Sequence, residues 1–314
     1  MSTAERQAEL AVPAAAVRRR KKGPRLADTW WRHAIALIAL LFALFPVAYI
    51  VSAAFNGDNS LSGSSLIPRR VTLDNFRSLF GAQQHTTGHA TFAGAHYLSW
   101  FANSMIVAGA TAVLTVLLGA LAAYAFSRFR FRGRRIGMLT LLLIQMFPQL
   151  LAVVAIYLIV LNVGSVFQFL GLNTLSALIL VYLGGAMGVN TWLMKGFFDT
   201  IPAELDESAR VDGATPAQVF WGVVLPLAAP VLAVIALISF ITTLNEFVIA
   251  SVILETAHRF TLPVGLWQFI DQKYSEHWGP FAAGVLIAAV PAALLFAFLQ
   301  RYIVQGLTQG AVKG

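Results

Sequence analysis

Six runs of about 20 or more mostly apolar residues constrain this chain most, because backbone N–H and C=O groups in hydrocarbon have no partner but one another. The runs fall at roughly 33–55, 100–126, 136–161, 173–194, 223–254 and 281–302. Only a helix satisfies its backbone within one such segment. The expected fold is therefore all-α, a polytopic membrane protein with six transmembrane helices. The first run is longer than the apolar core of a secretion signal and has no small-residue cleavage site behind it, so it is expected to stay as an anchor. Composition agrees: 58% of residues are hydrophobic and 11% charged, against about a quarter charged in soluble chains.

The basic excess, 22 Lys and Arg against 14 acids, does not point to nucleic acid, because the positive charges sort by side. With the N-terminus inside, only Arg69, Arg70, Arg77, Arg259 and Lys273 fall outside, the bias that cytoplasmic loops acquire during insertion. Both termini are therefore expected in the cytoplasm. The divisions are a basic N-terminal segment (1–32), a six-helix membrane domain (33–304) and a cytoplasmic tail (305–314). Within the domain lie external loops at 56–99 and 255–278 and a cytoplasmic loop at 195–222. The run Arg18 to Lys22 suits anionic membrane lipid. There is no cysteine, which excludes disulfides and thiolate metal sites. His85, His89 and His96 have no acid among them to orient a metal, and no metal or other cofactor is expected. The chain also lacks a GxxxxGK[ST] phosphate loop, so it is not expected to bind nucleotide or to act as an enzyme.

Between the fourth and fifth runs stands an acidic stretch, Glu204 to Ala214. Pro202 can open a short helix, and Glu204, Asp206 and Glu207 suit the positive end of its dipole. Gly213 is expected to end that helix at positive φ. Thr215-Pro216 then supplies the cap and first-turn proline of a second helix. The result is an angular foot, which a separate cytosolic motor could grip or which could serve as an ordinary polar connection between spans.

Glu207-Ser208-Ala209, Asp212-Gly213-Ala214 and Val223-Val224-Leu225-Pro226 resemble the EAA signature of permease subunits in ATP-binding-cassette importers. Ser208 stands where alanine is usual and Val223 where isoleucine is common. Asn103-Ser104, Ala122 to Arg128, Phe131 to Arg135, Lys195 to Phe198 and Asn245-Glu246-Phe247 are similar to carbohydrate-importer permeases. Gln145 to Pro148, Tyr182 to Gly185 and the ending Gln300 to Gly314 resemble the smaller permease subunit of maltose/maltodextrin importers.

That resemblance implies a type I importer permease fold in a bacterial inner membrane. Its partners would be a larger permease, two ATPase subunits and an extracytoplasmic sugar-binding protein. The implied substrate is maltose, maltodextrin or a related glucoside such as trehalose. ATPase coupling would fall to Glu204, Glu207, Ser208, Ala209, Asp212, Gly213, Ala214, Leu225 and Pro226. The tail residues Leu307, Thr308, Gln309, Gly310 and Lys313 would enter the ATPase dimer. The loop bearing Arg259, Gln268, Asp271 and Tyr274 would reach the binding protein.

Inside the spans, Pro46, Pro148, Pro226, Pro230 and Pro291 can serve as hinges or as plain packing kinks. Gly184 and Gly188 have the spacing for close helix contact. Glu246, beside Asn245, is a carboxylate deep in a run, where such groups are expensive. It admits three readings: a polar role in the translocation path or gate, a structural hydrogen bond to a neighbouring helix, or proton coupling. The third belongs to the rival reading, an ion-coupled secondary sugar transporter, which would normally carry several such groups or internal repeats. Gly306, Gly310 and Gly314 argue against a helical tail.

Overall fold

The computed structural model describes residues 26–57, 68, 70–81, 96–270 and 277–311. The chain divides into two units, Met1–Ala48 and Tyr49–Gly314. The described part of the first unit is helical, belonging to α1 (Leu26–Phe55), which continues through Pro46 and on into the second unit. From Trp30 to Ala48 every residue of α1 except Ala34 is exposed. An apolar helix of this kind has lipid or another protein as its surroundings.

The second unit adds α2 (Asp74–Phe80), α3 (Tyr97–Arg128), α4 (Arg134–Gln145), α5 (Gln149–Val166) and α6 (Leu175–Phe198). The foot helices α7 (Ala203–Val211) and α8 (Pro216–Val219) follow, then a π-helical turn, Phe220–Val224, and α9 (Leu225–Leu227). The chain ends with α10 (Ala229–Leu244), α11 (Val248–Ile253), α12 (Leu262–Trp267) and α13 (Trp278–Ala311). Among the described residues, five helices are long and apolar enough to cross a membrane, or six if the bent pair 216–227 and Ala229–Leu244 is one span.

Two of the apolar runs are not the single helices expected. The third breaks at Met146–Pro148, where Pro148 has no N–H for the Ile144 carbonyl and its ring disfavours the α region for the residue before it. Phe147 N–H turns back instead onto Ile144 O at 3.2 Å. The fifth run bends by 77° between 216–227 and Ala229–Leu244. Pro226 and Pro230, four residues apart, withdraw the donors due to Gly222 and Pro226, and the five-residue turns of Phe220–Val224 absorb the mismatch. A second break follows at Asn245–Phe247, with no proline or glycine to announce it. There the Asn245 side chain donates to Ile241 O at 2.8 Å, doubling the bond its own N–H makes at 3.1 Å. Pro291, by contrast, sits inside the unbroken α13.

α3, α6 and α10 form the centre, with apolar clusters at both ends. At the foot end Ala120, Tyr124, Met194, Phe198, Phe220 and Ile235 are buried together; at the far end Leu79, Tyr97, Trp100, Leu262 and Ala283 are. Gly188 shows a close approach: a Cβ there would lie 2.6 Å from the Gln145 side chain. Gly184 has open space around it. The backbone of α13 stays helical to Ala311 despite Gly306 and Gly310. A helix already nucleated by a long span extends at the cost of about 1 kcal/mol per glycine, which the expectation of a non-helical tail neglected.

Candidate coupling foot and outer clasp

The foot is built by local signals that agree with one another. After Pro202, α7 carries Glu204 and Asp206 in its first turn and Arg210 in its last, matching its dipole. Gly213 has φ +87°. Its N–H reaches Arg210 O at 3.0 Å and that of Ala214 reaches Ala209 O at 2.9 Å, the paired bonds of a Schellman stop. Thr215 and Gln218 then close a reciprocal cap on α8, with Thr215 N–H donating to Gln218 Oε1 (2.8 Å) and Gln218 N–H to Thr215 Oγ1 (3.3 Å).

The three acids do not share one fate. Glu204, Glu207, Ser208 and Asp212 face out, whereas Asp206 is buried at 4% exposure. Its Oδ2 lies 2.8 Å from Arg128 Nε, at the end of α3, and Arg128 also donates to Ile201 O at 2.9 Å. One residue earlier, Ser127 Oγ donates to Asp199 at 2.7 Å, and Lys195 forms an ion pair with the same carboxylate. Burial alone would raise the Asp199 pKa, but the hydrogen bonds from Lys195 and Ser127 outweigh it and hold it below the ordinary 3.8. Ala209, Ala214 and Leu225 pack onto the apolar cluster beneath, and Pro226 is exposed. On the outer side of the foot, Val211 is 87% exposed and Leu205 42%.

Glu246 sits in the break between α10 and α11. Its carboxylate accepts from the N–H groups of Ile249 (2.9 Å) and Ala250 (3.1 Å), capping α11, and from the hydroxyl of Tyr182 on α6. Its neighbour Asn245 lines a cavity of about 480 Å³ with Leu244, Pro263 and Trp267.

At the far end, side chains of α3 hold the chain that follows α11. Trp100 Nε1 donates to Ala257 O (2.6 Å), Asn103 Nδ2 to His258 O (2.9 Å) and Phe260 O (3.0 Å), and Ser104 Oγ accepts from Leu262 N–H (2.7 Å). Arg259 is exposed here and Gln268 half-buried. Asp271, Tyr274 and Lys313 lie outside the described residues, as do His85 and His89. Leu307, Thr308, Gln309 and Gly310 fall in the last turns of α13.

The sequence pattern of the family described as "Binding-protein-dependent transport system inner membrane component" matches residues 115–309, which include the whole foot and the Glu246 break. The chain belongs to this family. Among its relatives, the maltose/maltodextrin transport system permease protein MalG of Vibrio vulnificus is 40% identical over 296 residues, covering 93% of this chain and 99% of that one. The galactooligosaccharides transport system permease protein GanQ of Bacillus subtilis is 38% identical over 280 residues, covering 89% and 93%. In structure the chain is similar to a bacterial ABC transporter involved in import of the acidic polysaccharide alginate. The TM-score is 0.70 at 23% identity, over 90% of this chain and 99% of that one, a likeness of fold.

In this inner-membrane transport component, the likeness to carbohydrate-importer permeases drawn from the motifs agrees with the family and its named relatives. Four contacts were not anticipated, those of Arg128, Asn103, Tyr182 and Asn173. Arg128 and Asn103 belong to stretches that carried the family resemblance, a signal that they matter but not of what they touch. Tyr182 likewise stood in a resembling motif, with nothing to pair it with Glu246. Asn173, which anchors the chain beyond α11, carried no signal beyond its place at the edge of an apolar run.

Proposed function

We propose that this protein is the transmembrane permease subunit of an ATP-driven sugar importer, with maltose, maltodextrin or a related glucoside such as trehalose as substrate. It forms the translocation path with a larger permease and receives sugar from an extracytoplasmic binding protein. Two separate ATPase subunits supply the work. Both termini lie in the cytoplasm, and the foot docks on an ATPase subunit there.

The observation that carries this reading is the division of labour within the foot. Asp206 is tied to Arg128, while Glu204, Glu207, Leu205 and Val211 of the same helix stay exposed. A turn bolted to a spanning helix on one face, with acids and a bare valine on the other, can pass a push from a partner into the membrane. The names of the relatives at 38% and 40% identity support the sugar class.

The test is uptake into proteoliposomes holding the assembled complex and its binding protein. Labelled maltotriose, trehalose and galacto-oligosaccharide are offered with ATP inside, with and without a proton uncoupler. ATP-dependent uptake of a glucoside that survives the uncoupler is expected. Uptake without ATP that the uncoupler abolishes would overturn the reading in favour of ion coupling.

A further inference from the structure

The segment 254–262 joins α11 to α12 at the end remote from the foot, and its middle is a single 3₁₀ turn, Ala257–Arg259. Such a turn has little stiffness of its own. Its internal bonds are Arg259 N–H to Thr256 O at 2.8 Å and Phe260 N–H to Ala257 O at 3.3 Å. Besides the grip from α3, a second hold comes from Asn173, just before α6. Asn173 Oδ1 accepts from Glu255 N–H (3.1 Å), Thr256 N–H (3.2 Å) and Thr256 Oγ1 (3.0 Å), while Asn173 N–H donates to Ile253 O (2.8 Å). The amide oxygen thus gathers three donors on its two lone pairs.

Asn173 is also the one non-glycine residue with positive φ among those described, at +58°. Asparagine is among the few side chains that take this conformation readily, and here the conformation directs the backbone N–H and the side-chain oxygen onto consecutive stretches of one partner segment. The clasped residues Glu255, His258 and Arg259 are exposed. Bonds so close to water contribute modestly to global stability; what they fix is direction.

We propose that Asn173 is a positioning residue: its side-chain oxygen sets the register in which 254–262 leaves α11, and thereby aims His258 and Arg259 at the extracytoplasmic binding protein. The inference rests on the reading that this loop meets the binding protein. The occupant it presents to is a folded protein surface, and the effect acts through the Ala257–Arg259 turn, not through contact by Asn173 itself.

The experiment uses the complete complex in nanodiscs and compares wild type with Asn173→Ala, Asn173→Gly and Asn173→Asp. Glycine keeps the left-handed backbone and removes the oxygen; aspartate keeps both. Two quantities are read: amide exchange at Glu255 and Thr256 without binding protein, and the binding-protein concentration that half-saturates the stimulated ATPase. In the alanine and glycine variants, exchange is expected to quicken and the half-saturating concentration to rise about tenfold, the scale of one or two lost hydrogen bonds. Aspartate is expected to stay within about twofold of wild type, since a carboxylate accepts the same donors. Unchanged exchange in the glycine variant would overturn the clasp. Faster exchange with unchanged half-saturation would overturn its positioning role. A normal glycine variant beside a defective alanine variant would show that backbone conformation, not the oxygen, is what counts. A wild-type complex that no binding protein stimulates would instead remove the reading of the loop on which the proposal stands.

Discussion

Arg128 Nε lies 2.8 Å from Asp206 Oδ2, and the two side chains are only 10% and 5% exposed. The pair joins the last residue of α3 to the first turn of α7, so the foot is fastened to a spanning helix by opposite charges almost out of water. Removing one member strands the other, a loss of about 3–5 kcal/mol in buried pairs. Arg128→Ala and Asp206→Ala are each expected to lower the melting temperature of the purified complex and detach the ATPase. Glu207→Ala, on the exposed side, should shift stability by about 0.5 kcal/mol or less. Equal melting of Asp206→Ala and Glu207→Ala would show that the pair does not secure the foot.

Gly213 holds φ +87° with open space around the position of a Cβ, so the penalty of a side chain there is conformational, not steric crowding. Gly213→Val is expected to cost about 1–3 kcal/mol locally and to uncouple ATP hydrolysis from uptake while the complex still reaches the membrane. Gly213→Asn, which tolerates the left-handed region, should retain most of the uptake. The two variants compared in proteoliposomes decide the matter; full uptake by the valine variant would separate the turn from coupling.

Glu246 accepts from two backbone N–H groups and the Tyr182 hydroxyl, and glutamine keeps the shape and one accepting oxygen, which in the place of Oε2 retains the bonds from Ala250 and Tyr182 and gives up the one from Ile249. Glu246→Gln is expected to assemble normally while changing sugar uptake or basal ATPase. Glu246→Leu, which leaves those donors unpaired, should cost about 1–3 kcal/mol or more in stability. Wild-type transport by the glutamine variant together with failure of the leucine variant would confine Glu246 to holding α11 against α6.

Asp199 is held below 3.8, chiefly because the hydrogen bonds from Lys195 and Ser127 outweigh the effect of burial. A carboxyl whose folded pKa lies under its unfolded one adds stability above the unfolded value and loses it as pH falls through the folded one. The Asp199 side chain is 42% exposed, so the contribution is below about 1 kcal/mol. Between about pH 5 and about pH 3, Asp199→Asn should lose less melting temperature than wild type. Identical losses would remove Asp199 from the acid sensitivity of this end.

Deleting residues 307–314 removes the last turns of α13 and leaves the membrane-crossing part of the helix intact. Insertion is expected to survive, and binding-protein stimulation of the ATPase to fall. An assembled complex with normal stimulation and uptake would show the tail to be dispensable.

What could be read from the chain was what neighbours in sequence determine. The apolar runs marked the spans, and Gly213, Thr215 and Pro216 dictated the turn of the foot because each acts on its own backbone. Which acid turned inward could not be read: Asp206 and Glu207 are adjacent, and only the arrival of Arg128 distinguishes them. The Tyr182–Glu246 bond and the grip of Asn173 likewise join residues far apart in the chain. Pro226 and Pro230 were visible, but a bend needs both rungs lost in succession. At Asn245–Phe247 the break rests on side-chain bonds that no periodicity reports.

The 77° elbow at Ala228 has a mechanical consequence. Pro226 and Pro230 have already deleted two of the rungs that would resist bending, and Ala228 is left holding one on each side, its N–H to Val224 O and its carbonyl from Leu232 N–H, each at 3.0 Å. Compliance is concentrated at one point, between stiff arms: the foot with its π turn on one side and α10 on the other. Torque applied to the foot is therefore shared between this joint and the Arg128–Asp206 bolt instead of being dissipated along the span.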